Sequence, residues 1–362
     1  MKVNKSAELA TIDFFRFLLE NDRVSGIFTL RKINKDDSVD YCLVTDESRL
    51  DEAIPFYPFM PANAGKILSR FSPMNKPVAV VIKPCELRAF IELVKREQGT
   101  LDNFLLISYS CAGVFPIIKT GDEHFEKFLP GYWETVKRGG ISQGIRQTCK
   151  ACEHFLPMNA DITISLIGEN KLDSECKMFL NTDKAKEFVK DFEGEMLEED
   201  LESPVINSLL TKRKGEKEDL FTELSSKYSG LDGMINIFGR CIGCHGCSRV
   251  CPICYCTLCD FESHNYDYSA SILEREISQK GALRLPPDTI FFHLGRLIHM
   301  SFSCIGCGLC TEVCPANIPV STLFTKIGEE TAKMFDYIPG RNVKEAIPVT
   351  VFKEEEFAEL GE

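Results

Sequence analysis

No stretch of this sequence is apolar for anything near the ~20 residues that a bilayer-spanning helix requires, so no membrane span is expected. The opening residues, Met1-Lys2-Val3-Asn4-Lys5, run into a mixed apolar and charged segment and offer no secretory h-region. Positive charge is in the minority. The 42 Lys and Arg residues face 54 Asp and Glu, a net charge of −12, which speaks against nucleic acid or an anionic membrane as a partner. There is no Walker loop, no GxGxxG and no Ser/His/Asp order, so a Rossmann-type NAD site is unsupported. A cytoplasmic protein from a reducing, anaerobic setting is the expectation.

Cysteine, by contrast, is abundant. The 17 cysteines fall at metal-type spacings rather than as a secreted disulfide framework. One run reads Cys241-Ile-Gly-Cys244-His-Gly-Cys247-Ser-Arg-Val-Cys251-Pro252. A second reads Cys304-Ile-Gly-Cys307-Gly-Leu-Cys310-Thr-Glu-Val-Cys314-Pro315. Each is C-x2-C-x2-C-x3-C-P, the spacing that grips three irons of a [4Fe–4S] cube and sends its fourth cysteine to the other cluster. One cube is therefore assigned to Cys241, Cys244, Cys247 and Cys314, and the other to Cys304, Cys307, Cys310 and Cys251. Zinc is the bland alternative, but zinc sites favour two separated CxxC pairs. About fifty residues separate the runs, including a helix over 269–280 and an apolar stretch, Ile290 to Met300. The unit is thus an elaborated ferredoxin, expected to be α+β.

The N-terminal half alternates strands and helices. An amphipathic helix is expected over 7–21 with Ser6 as its N-cap. Strands at 26–31 and 41–45 flank a polar turn, Asn34 to Ser38. Two apolar runs, 77–82 and 104–109, read as buried strands around a helix over 87–97, followed by a strand over 161–168. This rhythm implies an α/β domain on a mixed sheet. Cys85 and Cys111 each sit just past a buried strand, at the edge where open α/β sheets bind ligands. With Cys149 and Cys152 they make four thiols for a third [4Fe–4S] cluster beside a cofactor, or else ordinary core cysteines. Cys254, Cys256 and Cys259 are three further thiols that could hold an extra metal with His264 or serve as alternative ligands. Cys42 and Cys176 read as core residues. His245 is placed to tune a cluster, while His154, His293 and His299 read as structural. The charge-rich 184–227 segment reads as helical connectors with solvated faces. The expected division is 1–195, a connector at 196–235, the two-cluster unit at 236–320, and a helix and tail at 321–362. The tail, broken at Pro339-Gly340 and Pro348 and carrying Lys353-Glu-Glu-Glu, is expected to wrap the surface or a partner.

The chain resembles the β subunits of F420-reducing hydrogenases and, more closely, of F420-linked formate dehydrogenases. The resemblance rests on Val81-Ile-Lys-Pro-Cys85-Glu-Leu-Arg-Ala-Phe, Asp102 to Gly113, Cys149-x-x-Cys152 with Ala160-Asp161-Ile162, Cys251-Pro-Ile-Cys-Tyr-Cys256 with Cys259, His299-Met, and Phe335-Asp-Tyr-Ile-Pro-Gly340. It implies a flavin-type N-terminal domain with FAD, clusters that carry electrons onward, and F420 as a hydride carrier. The implied partner is the catalytic subunit of a formate dehydrogenase, a hydrogenase or a heterodisulfide reductase. Ser6, Lys83 and Arg88 are the candidates for cofactor contact. Where the family carries Ser-Gly-Gly, this chain has Ser6-Ala7-Glu8. That difference motivates a second reading, a flavin-free iron–sulfur wiring subunit with no substrate of its own.

Overall fold

A computed structural model describes residues 1–33, 38–71, 75–117, 125–196, 200–264, 269–281 and 289–351. The polar turn expected at 34–38, the acidic stretch 195–202 and the tail from Lys353 lie wholly or partly outside them. The chain forms two compact units. One comprises 1–218 with 339–346, and the other 219–338 with the segment from 347 onward.

The first unit is built on one seven-stranded sheet. Its strands are β1 (Lys2–Val3), β2 (Gly26–Lys32), β3 (Val39–Val44), β4 (Val78–Val81), β5 (Phe104–Tyr109), β6 (Ile162–Ser165) and β7 (Cys176–Leu180), in the order β1-β7-β6-β5-β4-β2-β3. β2, β4, β5 and β6 run parallel, and the outer pairings are antiparallel. β4, β5 and β6 are buried along their whole length, which explains their unbroken apolar sequences. Because β4 and β5 are parallel neighbours, the loops that follow them leave the same edge side by side.

Its helices are α1 (Ala7–Glu20), α2 (Ala64–Leu68), α3 (Pro84–Val94), α4 (Leu129–Lys137), α5 (Gln147–Lys150) and α6 (Asp183–Phe188). α3 begins with Pro84, whose missing N–H costs nothing at a helix start. The Glu86 carboxylate returns to the Lys83 amide at 2.9 Å and also accepts from the Ala64 amide at 3.1 Å. Leu87, Phe90 and Ile91 bury their side chains in a core shared with Val78 and Val80 of β4, each contributing roughly 1.5–3 kcal/mol. A Cβ on Gly65 would lie 2.5 Å from the Glu86 carbonyl, so glycine is what allows α2 to sit against α3. The segment 339–346 returns to α3. Arg88 donates through Nε to the Pro339 carbonyl at 2.8 Å, and the Gly340 amide donates to Glu92 at 2.8 Å.

α7 (Pro204–Lys227) starts in the first unit and ends in the second. The second unit continues with α8 (Gly230–Phe238), α9 (Gly246–Val250), α10 (Ala270–Lys280), α11 (Thr289–Met300), α12 (Leu309–Glu312) and α13 (Val320–Lys333). The α+β expectation for this unit is corrected here: among its described residues it holds helices and short turns, with no strand. The segments flanking the cysteine runs carry a helical rather than an alternating apolar period. α8 buries Gly233, Ile237 and Phe238, and α13 buries Val320, Phe324, Gly328 and Ala332. The cysteine loops turn on positive φ at Gly243, His245, Gly306 and Gly308, which leaves no extended run to pair.

Candidate functional site

In the first unit, the exits of β4, β5 and β6 are tied together by two serines. The Ser108 hydroxyl donates to the Ile82 carbonyl at 2.7 Å. The Ser110 hydroxyl accepts from the Leu166 and Ile167 amides at 2.8 and 3.0 Å. This fixed edge carries Cys85 at the start of α3 and Cys111 just after β5. α5 brings Cys149 back to it, and the lack of a side chain at Gly113 makes room, since a Cβ there would be 3.0 Å from the Cys149 Cβ. Burial first, and Cys149 second, push the Cys111 thiol up to about 12, while the Gly113 amide, Arg213 and Lys83 pull it down. Burial also raises Cys149, opposed by Arg146, with the neighbouring Cys152 adding to the rise. Burial, then Cys111 and Glu86, then Tyr132 and Cys85, hold the Tyr109 phenol well above its usual range. Cys85 and Cys111 thus both act on Tyr109, Cys149 acts on Cys111, and Cys152 acts on Cys149.

A residue absent from the sequence-based candidates completes this neighbourhood. Arg213 of α7 is almost wholly buried, although Lys212 and Lys214 beside it are exposed. Its guanidinium donates to the carbonyls of Cys111, Ala112 and Cys152, and lies 4.6 Å over the Phe155 ring. Its Nε has no partner, and among the described residues no carboxylate pairs with it. The only hint in the sequence is an arginine within helical reach of Ile206 and Leu209, both of which are buried.

The three candidates for cofactor contact are committed locally. The Ser6 hydroxyl accepts from the Leu9 amide at 3.3 Å and so caps α1. The Lys83 ammonium donates to the Tyr41 hydroxyl at 3.0 Å and lies 3.7 Å from Glu86, and Tyr41 in turn donates to both Glu86 oxygens at 2.7 Å. Arg88 is tied to Pro339, as described above. A cleft lined by Asp22, Ser25, Thr45, Asp46 and Lys76 opens at the opposite end of β4, away from the thiols.

In the second unit, Cys241, Cys244, Cys247 and Cys314 line one cavity, together with His245, Phe292, His293 and Ile318. α11 brings two side-chain nitrogens to its sulfurs. Nη1 of Arg296 lies 3.0 Å from the Cys247 Sγ, and Nε2 of His293 lies 3.4 Å from the Cys241 Sγ. The backbone adds Gly243 N to Cys241 at 3.5 Å and Ile318 N to Cys314 at 3.4 Å. Burial raises the Cys247 thiol to about 11; Arg296 opposes this, and Cys241, Cys314 and Cys244 add to it. His293 stacks on Phe238 at 4.3 Å, and burial, Arg296 and His245 push its pKa down to about 3, so the ring is neutral. His245, read from the sequence as a tuning residue, lines the same cavity, stacks on Phe292 and faces Glu262 at 3.1 Å. His293, read from the sequence as structural, brings a ring nitrogen within reach of a cysteine sulfur.

Cys251, Cys304, Cys307 and Cys310 form a second neighbourhood. Burial, Cys307 and Cys304 hold Cys310 well above the usual thiol range, and Cys247 of the first set also adds to its rise. A hydrogen bond to Cys254, burial and then Cys307 do the same for Cys251. Of the three extra thiols, Cys254 faces this group, with its Sγ 3.3 Å from the Met300 Sδ. Cys256 is exposed, and Cys259 precedes a short turn at Asp260–Glu262. Among the described residues no three His, Cys, Asp or Glu side chains converge tightly enough to hold one metal ion. Cys241, Cys244, Cys247 and Cys314 line a cavity instead. Soft thiol donors around a buried cavity, with N–H groups aimed at the sulfurs, fit an iron–sulfur cluster. Thiols that resist ionising together are deprotonated when a metal supplies the compensating charge.

Comparison with known proteins supports iron–sulfur clusters in the second unit. A family model for a 4Fe-4S dicluster domain matches residues 237–318. The F420-dependent formate dehydrogenase subunit beta of Methanocaldococcus jannaschii is 28% identical over 91% of this chain and 91% of its own length. The F420-dependent formate dehydrogenase 1 subunit beta of Methanococcus maripaludis is 29% identical over 91% of this chain and 90% of its own. A chain of the F420-reducing [NiFe] hydrogenase complex from Methanosarcina barkeri gives a slighter likeness, at 12% identity and a TM-score of 0.44 over 63% of this chain and 89% of that one. Over nine-tenths of its length, then, this chain is similar to β subunits of F420-dependent formate dehydrogenase. Among the described residues no helix is long and apolar enough to cross a membrane.

Proposed function

We propose that this chain is an iron–sulfur electron-transfer subunit of an oxidoreductase complex, working between an F420-type hydride carrier and a catalytic subunit. The observation that carries the proposal is the cavity lined by Cys241, Cys244, Cys247 and Cys314 inside the segment matched by the dicluster model. Cys304, Cys307, Cys310 and Cys251 would hold the second cube, and Cys85, Cys111, Cys149 and Cys152 a third. Two buried arginines support these assignments. Arg296 and Arg213 each lie among cysteines with no carboxylate partner among the described residues. A buried cation is costly unless an anion faces it, and a thiolate-ligated cluster is anionic. When bound, FAD would accept the electron pair of a hydride and the clusters would carry it onward one electron at a time. The chain's own part is to place the ligands, exclude water and set the local charge. The partner would be the catalytic subunit of a formate dehydrogenase, as the names of the two relatives suggest, or that of a hydrogenase or heterodisulfide reductase.

A specific observation favours the flavin-free reading as the alternative. At the start of α1, the Ala7 amide donates to the Leu172 carbonyl at 3.0 Å and the Leu9 amide to Ser6, so two of the amides that would greet a phosphate there are engaged. Purification of the native complex under anaerobic conditions tests both. About twelve irons per chain, flavin absorbance and F420-dependent dye reduction support the first reading. Iron without flavin or F420 activity supports the alternative. A chain isolated without iron sinks both.

A further inference from the structure

We propose that α11, which lies in the long spacer between the two cysteine runs, is a tuning helix that raises the reduction potential of the cube on Cys241, Cys244, Cys247 and Cys314 through His293 and Arg296. The inference rests on the cluster assignment above and gives the spacer a purpose.

Residues 293 and 296 are one turn apart, so their side chains leave the same face of α11. That face is buried: Phe292, His293, Arg296 and Met300 all lie in the interior. Arg296 donates from Nη1 to the Cys247 Sγ at 3.0 Å and from Nη2 to the Cys247 carbonyl at 3.2 Å, so a forked contact fixes its orientation. The rings of Phe292 and Phe324 flank the guanidinium at 5.4 and 5.2 Å. His293 lies with Nε2 3.4 Å from the Cys241 Sγ, its ring held flat against Phe238. A thiolate sulfur only accepts, so in the ligated state the imidazole proton belongs on Nε2. Two of the four sulfurs thus receive a side-chain N–H from one helix, and one of those donors bears a full charge.

The direction of the effect follows from electrostatics. Adding an electron makes a thiolate-ligated cluster more negative. Hydrogen bonds to the sulfurs and a nearby cation stabilise that form more than the oxidised one, which moves the potential upward. The low dielectric of the interior strengthens both contributions. Arg296 also faces Cys254 and Cys251, so its charge reaches the second cube, whereas among the described residues the sulfur that His293 contacts is that of Cys241. The two residues therefore have separable signatures.

The test is a redox titration followed by electron paramagnetic resonance, on the anaerobic iron-loaded chain in its complex, for wild type, R296Q, R296K and H293F. Removing the charge in R296Q should lower the reduced-to-oxidised ratio of the first cube at a fixed poise at least tenfold, equivalent to about 59 mV for one electron, with a smaller fall at the second. R296K should restore most of that ratio. H293F, which keeps a ring against Phe238, should lower the first cube alone. Unmoved midpoints in iron-replete R296Q and H293F would overturn the inference while leaving the cluster assignment intact. Loss of iron from all three variants, R296K included, would overturn it too, because the donors would then hold the cluster rather than tune it. A wild-type chain without clusters would instead overturn the assignment on which the inference rests.

Discussion

Nη2 of Arg213 donates to the carbonyl of Cys111 at 3.3 Å, joining the middle of a charged helix to the exit of a buried strand. The same guanidinium reaches Ala112 at 3.1 Å and Cys152 at 3.3 Å, so one side chain spans the two loops that deliver Cys111 and the Cys149–Cys152 pair. Carbonyls that point inward at this edge have their hydrogen-bonding need met by a cation from outside the sheet.

Arg213→Ala should therefore cost the first unit about 3 kcal/mol or more, because a buried fork is lost and three carbonyls lose their donor. Arg213→Lys keeps the charge but cannot reach all three acceptors, and should fall between wild type and alanine. Urea denaturation followed by circular dichroism measures this. The exposed neighbours Lys212 and Lys214, changed to Ala, should shift stability by less than about 0.5 kcal/mol. Equal effects at 212 and 213 would refute the clamp.

Gly340 predicts a second local weakness. Its φ is +72°, and a Cβ there would lie 2.4 Å from the Arg88 carbonyl, against α3 backbone that cannot easily give way. Gly340→Ala should lower stability by roughly 1–3 kcal/mol through positive-φ strain and overpacking. Gly215, where a Cβ would meet nothing within 4 Å, lies mid-helix, and Ala there should be neutral or stabilising. Thermal melts of the two variants separate the cases.

How far the sequence disclosed these features depended on where their signal lay. β4 and β5 were legible because continuous apolar runs can only be buried strands or helices, and their lengths and flanking residues select strands. That placement led directly to Cys85 and Cys111 at one edge. Arg213 was hidden because its flanks are Lys212 and Lys214, and burial of one arginine in three is decided by tertiary packing. Arg296 left a fainter trace as a single charge inside Thr-Ile-Phe-Phe-His-Leu-Gly-Arg-Leu-Ile-His-Met, and placing it on the buried face at the spacing of Phe292 and His293 would have found it. The strands expected of a ferredoxin failed for a related reason: spacing in the cysteine runs specifies ligands, whereas the helical period of the flanks specifies the fold.

The crossed assignment of the fourth ligands makes a sharp prediction. Cys314 lines the cavity of the first run although it belongs to the second, and the charge of Cys307 acts on Cys251 although Cys251 belongs to the first. Cys314→Ser should perturb the cube of Cys241, Cys244 and Cys247, and Cys251→Ser that of Cys304, Cys307 and Cys310. Each should lose up to about four irons per chain. Cys256→Ser, at an exposed position, should lose none. Iron analysis with resonance spectra of the reduced chain checks the pattern, and a Cys314→Ser variant that alters only the Cys304 cube would contradict it.

Cys176 allows a pH prediction in a part of the chain remote in sequence from every candidate ligand. Burial first, and Glu169 second, push its thiol up to about 12, with the N-terminal amine opposing. The unfolded thiol ionises near pH 8.5. Between that value and about 12 the folded chain keeps a proton that the unfolded chain has released. The unfolded state binds fewer protons there, so stability falls as pH rises, by up to about 1.4 kcal/mol per pH unit. Below the unfolded value the contribution is fully present and flat. Denaturation midpoints taken from pH 8 to 10 should therefore decline, and Cys176→Ala should flatten the slope, at a cavity cost offset that does not vary with pH. Alkylation gives an independent check: at pH 8 iodoacetamide should label the exposed Cys256 in the folded chain and leave Cys176 untouched until the chain is denatured. Labelling of Cys176 at a rate comparable to Cys256 in the folded chain would refute its place in the core.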